Sequence, residues 1–464
     1  MPQSRFDLIV IGSGPAGQRA AIQAAKLGKR AVIIERNNVI GGVALHTGTI
    51  PSKTLREAIL YLTGWNQRGF YGHDYRLKSE ITVDDLRQRL DITIQHELEI
   101  IRKQLSRNNV EVIHGTASFT DPYTINVHKE NGNSLSLSAD NFLIATGTRP
   151  RRPDNIDFDD ISITDADGLL NATGLPESVT IIGAGVIGVE YATMLNALEI
   201  DVTLINESAD ILSFVDREII TEFLSHQKDL GMKIFSGEKI QSIQKTKTGT
   251  VTTTLENGAQ HQSEVLIYTA GRIGCTASLG LENAGLGVNK RKLIKVNENF
   301  QTGVPHIFAA GDVIGFPSLA STSMEQGRVV ALNAFGYKKE SDMVNIPYGI
   351  YSVPEISMIG KTEAELQEEN IPYVAGKAHF QETARGQILG LDSGMLKLLV
   401  HSTNQHLLGV HIMGYSATEL VHIGQSVIKL QGKLDYFLNN IFNYPTLAGA
   451  YKIAALDAWN HLQN

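Results

Sequence analysis

The sequence predicts an α/β protein built from two glycine-rich strand–turn–helix units followed by a C-terminal α+β region. Three observations support this prediction. The first is an apolar strand pattern that runs into a Gly-x-Gly-x-x-Gly turn near the start of the chain, and the second is that the same arrangement recurs after residue 177. The third observation is length, because 464 residues are too many for one ordinary hydrophobic core. We therefore expect roughly two to four domains.

The first unit begins with the apolar strand pattern 7–11 and turns at Gly12, Gly14 and Gly17. A helical stretch follows, and a second strand ends at Glu35, 18 residues after Gly17. In a dinucleotide-binding fold the first glycine permits the tight turn, the second admits the pyrophosphate, and the third allows close packing of helix and strand. The N–H groups at the helix start bind phosphate, and the acid at the second strand end binds ribose hydroxyls.

The second unit repeats this pattern with the strand 178–182, the glycines Gly183, Gly185 and Gly188, and a second strand 201–205. One such glycine string is weak evidence, since glycine-rich turns occur by chance. Two copies, each with strands at the proper spacing, are strong evidence. The sequence therefore predicts two Rossmann-like dinucleotide-binding domains, and two nucleotides such as FAD and a nicotinamide cofactor.

Two further strand ends flank the second unit. Thr146 and Gly147 end one strand before it, and Asp312 ends another after it, where an acid can bind a ribityl hydroxyl. We therefore predict a nicotinamide domain inserted within a split FAD domain, and a separate α+β domain after them. The predicted bounds are 1–152 and 273–344 for FAD, 153–272 for NAD(P), and 345–464 for the α+β domain.

Composition narrows the class of protein. The net charge of −8 offers no basic face for phosphates, so nucleic-acid binding is not expected. The single cysteine, Cys275, excludes an intramolecular disulfide and fits a reducing cytoplasm. No apolar run reaches the ~18 residues of a membrane helix, and we expect a cytoplasmic protein without a membrane partner or a metal site.

Five segments then carry a family resemblance: 48–56 (GTIPSKTLR), 183–191 (GAGVIGVEY), 311–315 (GDVIG), 353–356 (VPEI) and 442–446 (FNYPT). In these segments, in their order along the chain, the protein resembles the glutathione reductase and lipoamide dehydrogenase family of flavin disulfide reductases. The resemblance implies bound FAD and a homodimer, with the C-terminal domain at the dimer interface.

The chain departs from that family where disulfide chemistry occurs. The family's two redox cysteines correspond to Ala44 and Thr49, and its catalytic histidine and glutamate correspond to Tyr444 and Gly449. The two redox thiols and the histidine–glutamate pair that transfers protons to them are thus both missing. Their absence argues against disulfide reduction. Threonine at position 49 and the lost histidine resemble the soluble transhydrogenase branch, although Ala44 and Gly449 depart from many of its members.

The resemblance also implies the catalytic and cofactor-binding residues. Lys53 is expected beside the flavin and paired with Glu190, where a cation favours electron gain by the flavin. The helix that begins near Leu319 and Ala320 is expected to direct its positive end at the flavin. Further expected cofactor contacts are Gly42, Val43, Ala117, Ile187 and Gly271.

Nucleotide choice is predicted to depend on Asn206, at the end of the second strand of the inserted domain. A carboxylate at this place binds the ribose 2′-hydroxyl and repels a 2′-phosphate, whereas asparagine tolerates both NAD(H) and NADP(H). The following loop, 207–210, offers two acids and no arginine, and Arg217 is the nearest cation in sequence. We predict that NAD(H) binds better than NADP(H).

Two interpretations remain open for Val186 and for His46, and packing is the default interpretation for Cys275. Val186 replaces an aromatic gate of some family members, and either shapes the nicotinamide pocket or fills the core. His46 is the only titratable side chain within 41–52, and it either protonates an acceptor near the flavin or turns outward or fills packing space. Cys275 lies far from this segment in sequence, and its default interpretation is packing.

The favoured functional hypothesis is an FAD enzyme that catalyses ping-pong transhydrogenation between the NAD(H) and NADP(H) pools through flavin N5, using the cofactor's own chemistry. The alternative is an NAD(P)H:acceptor oxidoreductase of the quinone or diaphorase type. Asn206 favours the first, and the arginine-poor loop after it favours the second. A redox-inert nucleotide sensor is disfavoured by the intact glycine turns and by Lys53, Glu190 and Asp312.

Overall fold

The computed structural model describes residues 5–72, 74–170, 173–247, 249–337 and 343–463. The strands are β1 Arg5–Ile11, β2 Ala31–Glu35, β3 Glu111–His114, β4 Thr116–Asp121, β5 Thr124–His128, β6 Ser134–Ile144, β7 Thr148–Pro150, β8 Ile163–Asp165, β9 Ser178–Ile182, β10 Asp201–Asn206, β11 Lys233–Ser236, β12 Ile240–Lys245, β13 Val251–Leu255, β14 Gln260–Ser263, β15 Val265–Tyr268, β16 Arg272–Gly274, β17 Ile307–Ala309, β18 Tyr348–Ile350, β19 Ile356–Gly360, β20 Tyr373–His379, β21 Met395–His401 and β22 Leu407–Met413.

The α-helices are α1 Pro15–Lys26, α2 Gly42–His46, α3 Thr49–Leu62, α4 Arg68–Tyr71, α5 Val83–Arg107, α6 Ala166–Leu169, α7 Val186–Ala197, α8 Arg217–Asp229, α9 Ala320–Ala334, α10 Glu363–Glu368, α11 Ala384–Leu389, α12 Ala417–Lys429, α13 Asp435–Asn439 and α14 Gly449–Gln463. Short 3₁₀ turns occupy Trp65–Gln67, Leu281–Ala284, Asp312–Ile314 and Phe380–Glu382. None of the helices in the described ranges has the length and apolar character needed to cross a membrane.

Two compact units divide the chain. Unit 1 comprises Met1–Thr54, Arg87–Arg151 and Gly271–Met343, and unit 2 comprises Leu55–Leu86, Arg152–Ala270 and Val344–Asn464. The inserted domain and the C-terminal α+β region, which the sequence predicted as separate domains, fall within one unit by this division.

Unit 1 contains a seven-stranded sheet whose parallel part sets the candidate site. β1 lies between β2 and β6, with Ile11 beside both Ile34 and Ile144, and β17 pairs with β6 so that Ala309 lies beside Ile144. The carboxyl ends of these four strands therefore meet at one edge, where ligands of open α/β sheets bind. Strands β5 and β4 extend the sheet in antiparallel fashion beyond β6.

The core of unit 1 follows the alternation of side chains along β1. Leu8 and Val10 pack with side chains of α1 and α9, whereas Ile9 and Ile11 pack with residues of β4–β6. Helix α1 approaches α9 closely, because a Cβ at Gly327 would lie only 2.0 Å from the carbonyl oxygen of Ala16. A sheet that is buried on both faces explains the nearly continuous apolar sequence of β1.

Unit 2 contains a parallel five-stranded sheet in the order β11-β10-β9-β15-β8, an antiparallel three-stranded sheet β12-β13-β14, and an antiparallel five-stranded sheet β18-β19-β22-β21-β20. Helices α12 and α14 contribute to the core of the last sheet, with Val421 and Tyr451 fully buried there. The predicted α/β units and the α+β character of the C-terminal region are confirmed.

A buried ion cluster lies where α8, α10 and β21 meet in unit 2. The ammonium group of Lys397, on β21, lies 2.8 Å from Asp216, 3.0 Å from Glu218 and 2.6 Å from Glu363. The side chains of Lys397 and Asp216 are each only 1% exposed. Burial opposes ionisation of Asp216, but His411 and Lys397 outweigh it and hold the pKa of Asp216 below its ordinary value.

We expect Lys397→Met to lower the free energy of unfolding by about 3–5 kcal/mol, because it leaves carboxylates buried without their cation. The effect should shrink on acidification: the lowered pKa of Asp216 stabilises the native protein above the unfolded-state pKa, and this contribution disappears as protons neutralise the carboxylate. Urea unfolding at several pH values measures both the loss of unfolding free energy and its dependence on pH. The control is Lys377→Met, a partly exposed partner of Glu218, whose expected cost is at most about 1 kcal/mol. Equal losses for the two variants would contradict the argument.

Candidate functional site

The first glycine turn has the geometry that the fingerprint predicts. Gly12 has φ +106°, and a Cβ there would lie 2.4 Å from the carbonyl oxygen of Ala145. A Cβ at Gly17 would lie 2.0 Å from the carbonyl oxygen of Gly12, so α1 and the turn are in contact. Gly14 caps α1 without a side-chain hydrogen bond and has open space around it. The turn therefore presents bare backbone at a helix start, which suits an anionic ligand.

Glu35 lies at the end of β2 and is 5% exposed. One carboxylate oxygen accepts hydrogen bonds from the N–H (3.0 Å) and the hydroxyl (2.6 Å) of Ser13, and the other accepts from the N–H of Asn37 (2.9 Å). The Ser13 hydroxyl also accepts from the N–H of Gly41 at 3.0 Å. This network fixes the acid against the glycine turn, and Ser13 is a member that the sequence analysis missed.

Asp312 follows β17 at the same sheet edge of unit 1. Burial raises the pKa of Asp312, and Arg272 and a hydrogen bond from Thr148 oppose that rise. The Thr148 hydroxyl accepts from Arg272 Nε at 2.8 Å, so its proton is directed to Asp312 at 3.3 Å. Thr148 and Arg272 were not predicted, because they are distant in sequence and meet only through the pairing of β7 with β16.

The other predicted residues of unit 1 lie on several different elements. The buried hydroxyl of Thr146 has no hydrogen-bond partner among the residues that the structure describes, and Gly147 has φ +66°. Gly271 has φ +106°, and Ala117 is buried on β4 beside Val127. Leu319 precedes Ala320, the first residue of α9, which has no side-chain cap. Cys275 is half-buried and donates its backbone N–H to Gly147.

The segment that resembles a redox motif is helical. Gly42 and Val43 open α2, where a Cβ at Gly42 would lie 2.9 Å from Gly14 Cα, and Thr49 begins α3 with Lys53 one turn later. Thr49 is exposed, and Ala44 and Lys53 are partly buried. His46 Nε2 lies 2.8 Å from the carbonyl oxygen of Ile40, so the ring packs on its own segment. This contact favours the packing interpretation of His46.

The second glycine turn, in unit 2, repeats the first. Gly183 has φ +100°, and a Cβ at Gly188 would lie 1.9 Å from the carbonyl oxygen of Gly183. Gly185 caps α7 and has open space around it. The Thr269 hydroxyl, which the sequence analysis missed, donates to the carbonyl of Gly183 at 2.8 Å. Val186 and Ile187 are partly buried against the core, which favours packing for Val186 without excluding a ligand contact.

Asn206 ends β10 and directs its side chain at its own loop. Its Oδ1 accepts from the N–H of Ala184 at 3.0 Å, and its Nδ2 donates to the carbonyls of Ser208 at 2.8 Å and Asp210 at 3.2 Å. The accepted N–H corresponds to that of Ser13 beside Glu35, so the two turns are closed in the same way. A neutral amide thus occupies the place of a carboxylate. Arg217 is exposed at the start of α8.

Glu190 lies on α7 directly after the second glycine turn and is 3% exposed. Its Oε1 accepts a hydrogen bond from the backbone N–H of Tyr351 at 2.8 Å. No local pattern could have predicted this contact, because the two residues are 161 positions apart. The expected pairing of Glu190 with Lys53 stays a prediction.

The C-terminal residues that replace the family's dyad lie before and at the start of α14. Tyr444 is 80% exposed, and Gly449 is the first residue of α14. Ile441, three positions before Tyr444, is 95% exposed.

Two fingerprint turns, each between a parallel strand and a helix, and an antiparallel C-terminal sheet are typical of a class of nicotinamide-dependent oxidoreductases, and this chain belongs to the pyridine nucleotide-disulphide oxidoreductase family. The family model matches residues 6–327, and the model of the family's dimerisation domain matches residues 346–455. The family resemblance found in the sequence is confirmed.

Two relatives and one solved structure are similar to this chain over nearly its whole length. The chain is 50% identical to a soluble pyridine nucleotide transhydrogenase of Mycobacterium bovis (strain BCG / Pasteur 1173P2), over 99% of this chain and 98% of the relative. It is 42% identical to a soluble pyridine nucleotide transhydrogenase of Yersinia pestis (strain Pestoides F), over 98% of both. Among solved structures, the Cu(II) complex of the HOCl-induced flavoprotein disulfide reductase RclA from Escherichia coli matches with a TM-score of 0.88 and 26% identity, over 98% of this chain and 99% of that one.

Proposed function

We propose that this chain is an FAD-dependent enzyme that transfers hydride between NADH or NADPH and NAD⁺ or NADP⁺ without a disulfide relay, and that it acts as a homodimer. The observation that carries the proposal is Asn206, whose neutral side chain is bound to its own loop where a carboxylate would reject a 2′-phosphate. The full-length similarity to relatives named soluble pyridine nucleotide transhydrogenase supports it.

The residues of unit 1 fit FAD. Gly12, Gly14 and Gly42 leave a backbone cradle that side chains would fill, and the buried hydroxyl of Thr146 lacks a partner within the described chain. We propose that the turn holds the pyrophosphate, that Glu35 holds the adenosine ribose and that Asp312 holds the ribityl chain. Gly147, Ala117, Gly271, Val43 and the start of α9 complete the proposed contacts. When bound, FAD supplies the two-electron chemistry at flavin N5.

The residues of unit 2 are proposed to bind one nicotinamide nucleotide at a time. Gly183, Gly185 and Gly188 hold its pyrophosphate at the start of α7, Ile187 contacts it, and Asn206 faces its adenosine ribose. Because the described residues contain one such turn besides the FAD turn, the first nucleotide leaves before the second binds. This order is ping-pong. Lys53 and Glu190 are proposed to orient the reacting groups.

The loss of thiol chemistry supports the same function. Ala44 and Thr49 carry no sulfur, and Tyr444 and Gly449 offer no acid–base pair of the family's kind. An activated nucleophile requires an adjacent base or a lowered pKa, and the Thr49 hydroxyl is exposed at a helix start. The remaining machinery therefore suits hydride transfer through the flavin without a disulfide relay.

The test is anaerobic mixing of the FAD-loaded protein with NADPH and thio-NAD⁺, followed at the thionicotinamide absorbance. Steady reduction of thio-NAD⁺ with parallel-line kinetics is expected. The alternative function, an NAD(P)H:acceptor oxidoreductase, is favoured by the absence of arginine in the loop 207–210. If NADH bleaches the flavin and a quinone restores it, but no nucleotide does, the transhydrogenase proposal fails and this alternative replaces it.

We expect Thr148→Val to make FAD retention more sensitive to acid. The substitution removes the hydroxyl that donates to Asp312, and the pKa of Asp312, already raised by burial, should rise further. An ionised Asp312 is the form that accepts a ribityl hydroxyl, so flavin loss should begin at a higher pH than in the unsubstituted protein. Flavin content after gel filtration across the acid range measures this. Thr148→Ser, which keeps the hydroxyl, is the control, and superimposable curves for all three proteins would refute the assignment.

A further inference from the structure

A short segment of unit 2, residues 351–355, is held by hydrogen bonds to four helices, α3, α7, α8 and α12, and one of the groups holding it is Glu190. The N–H of Tyr351 donates to Glu190 Oε1 at 2.8 Å, and the N–H of Val353 donates to Thr193 Oγ1 at 3.0 Å. Both acceptors lie on α7 and are buried, at 3% and 2% exposure. The N–H groups of Tyr351 and Val353 are therefore both directed to α7.

The carbonyl groups of the same segment are directed elsewhere. Ser352 accepts from Arg56 Nε at 3.0 Å, and Val353 accepts from Gln227 Nε2 at 2.8 Å. Arg56 lies on α3 and Gln227 on α8. Neighbouring backbone groups of the segment are thus bound to different helices. A shift of the Ser352 carbonyl must therefore also displace the N–H of Tyr351, which donates to Glu190.

Arg56 is anchored by a buried ion pair with Glu355. Arg56 Nη2 lies 3.2 Å from Glu355 Oε1, and the two residues are 5% and 9% exposed. The other oxygen of Glu355 accepts from the N–H (3.0 Å) and the hydroxyl (2.8 Å) of Thr418 on α12. A guanidinium group held at two positions has little rotational freedom, so the pair defines where Ser352 lies.

We propose that Arg56 and Glu355 are positioning residues: through the 351–355 segment they fix the orientation of the Glu190 carboxylate. The inference rests on the proposed function, since it assumes that Glu190 orients a reacting group. The same chain of contacts connects α3, the helix that carries Lys53 three residues before Arg56, to the helix that carries Glu190. Misplacement of an orienting group by about 1 Å costs roughly a hundredfold in rate.

The experiment compares Arg56→Met, Arg56→Lys and Glu57→Gln as FAD-loaded proteins. Glu57→Gln is the matched control, because Glu57 binds the same guanidinium through Nη1 at 2.8 Å but its side chain is 54% exposed. One measurement is hydrogen–deuterium exchange of the 351–355 amides. The other is the limiting rate and the apparent Kd for bleaching of the flavin by NADH under anaerobic conditions.

For Arg56→Met we expect exchange at Tyr351 and Val353 to accelerate by about tenfold or more. The limiting rate should fall by about tenfold to a hundredfold, with the NADH Kd changed by less than about threefold. Arg56→Lys, which keeps the charge and one donor, should be intermediate, and Glu57→Gln should match the unsubstituted protein. If Arg56→Met does not fold, Arg56→Lys and Thr418→Val provide the same comparison.

Three results would overturn the inference: faster exchange with an unchanged rate, a lower rate with unchanged exchange, or equal effects of Glu57→Gln and Arg56→Met. Failure of the proposed function is distinguishable, because it appears in the unsubstituted protein as a lack of transfer to thio-NAD⁺. Bleaching by NADH alone suffices for comparing the variants, so the inference is tested even if the final acceptor is a quinone.

Discussion

Gly185→Ala is expected to leave the fold and the flavin content intact while weakening the binding of NADH and NADPH by about tenfold or more, the equivalent of at least ~1.4 kcal/mol. Gly185 has φ −76° and ψ −176°, values that any residue adopts, and a Cβ would meet nothing within 4 Å. Alanine as an N-cap costs about 1 kcal/mol, which a protein of this size tolerates. The loss of affinity therefore reports only the clash with a pyrophosphate at the turn.

Gly14→Ala is the matched variant for the other turn. Gly14 has φ −68° and ψ −178°, caps α1 and also has open space around it. This variant should fold but lose FAD, whereas Gly185→Ala should keep FAD and lose affinity for nicotinamide nucleotides. Flavin absorbance per polypeptide and calorimetric titration with NAD⁺ give the two readouts for both proteins.

Comparison with alanine variants of the neighbouring glycines excludes general damage to the fold as the reason for lost binding. At Gly17 and Gly188 a Cβ would lie 2.0 Å and 1.9 Å from a backbone carbonyl oxygen, so alanine there should damage the fold itself and lower the thermal midpoint. Normal NAD⁺ binding by Gly185→Ala, or loss of FAD from it, would show that the two turns do not divide the cofactors as proposed.

Much of the parallel architecture could be predicted because its determinants are local. The strand before each glycine turn is mainly apolar, the glycines recur at fixed spacing, and the second strand follows at the distance of one helix. The start of α9 at Ala320 also agrees with the expectation from the sequence. These features depend on backbone conformation, which short-range sequence determines well.

The polar networks could not be predicted, because their members are distant in sequence. Glu190 accepts from Tyr351, and Arg56 pairs with Glu355, only because four helices converge on the 351–355 segment. Lys397 gave one signal, as a charged residue in the otherwise apolar strand β21. A buried charge requires a partner, but the sequence did not indicate which carboxylates provide it.

Asn206→Asp is expected to weaken NADPH binding by about tenfold to a hundredfold while NADH binding stays within about threefold, because a carboxylate facing a 2′-phosphate is repelled. Asparagine donates through Nδ2 to the carbonyls of Ser208 and Asp210, and aspartate cannot. The new carboxylate oxygen must therefore turn away from the loop and become available to the ribose. NADPH-driven reduction of thio-NAD⁺ should fall in parallel.

The control separates charge from loop disruption. Asn206→Ala removes the hydrogen bonds to Ser208 and Asp210, and the one from Ala184 as well, without adding charge. It should therefore weaken NADH and NADPH binding to a similar extent, and only the aspartate should discriminate between them. If alanine and aspartate have equal effects, the loop geometry and not the charge governs affinity. If Asn206→Asp binds NADPH as well as the unsubstituted protein does, Asn206 does not face the 2′-position. The acceptor-reductase alternative would then fit the arginine-poor loop better than transhydrogenation does.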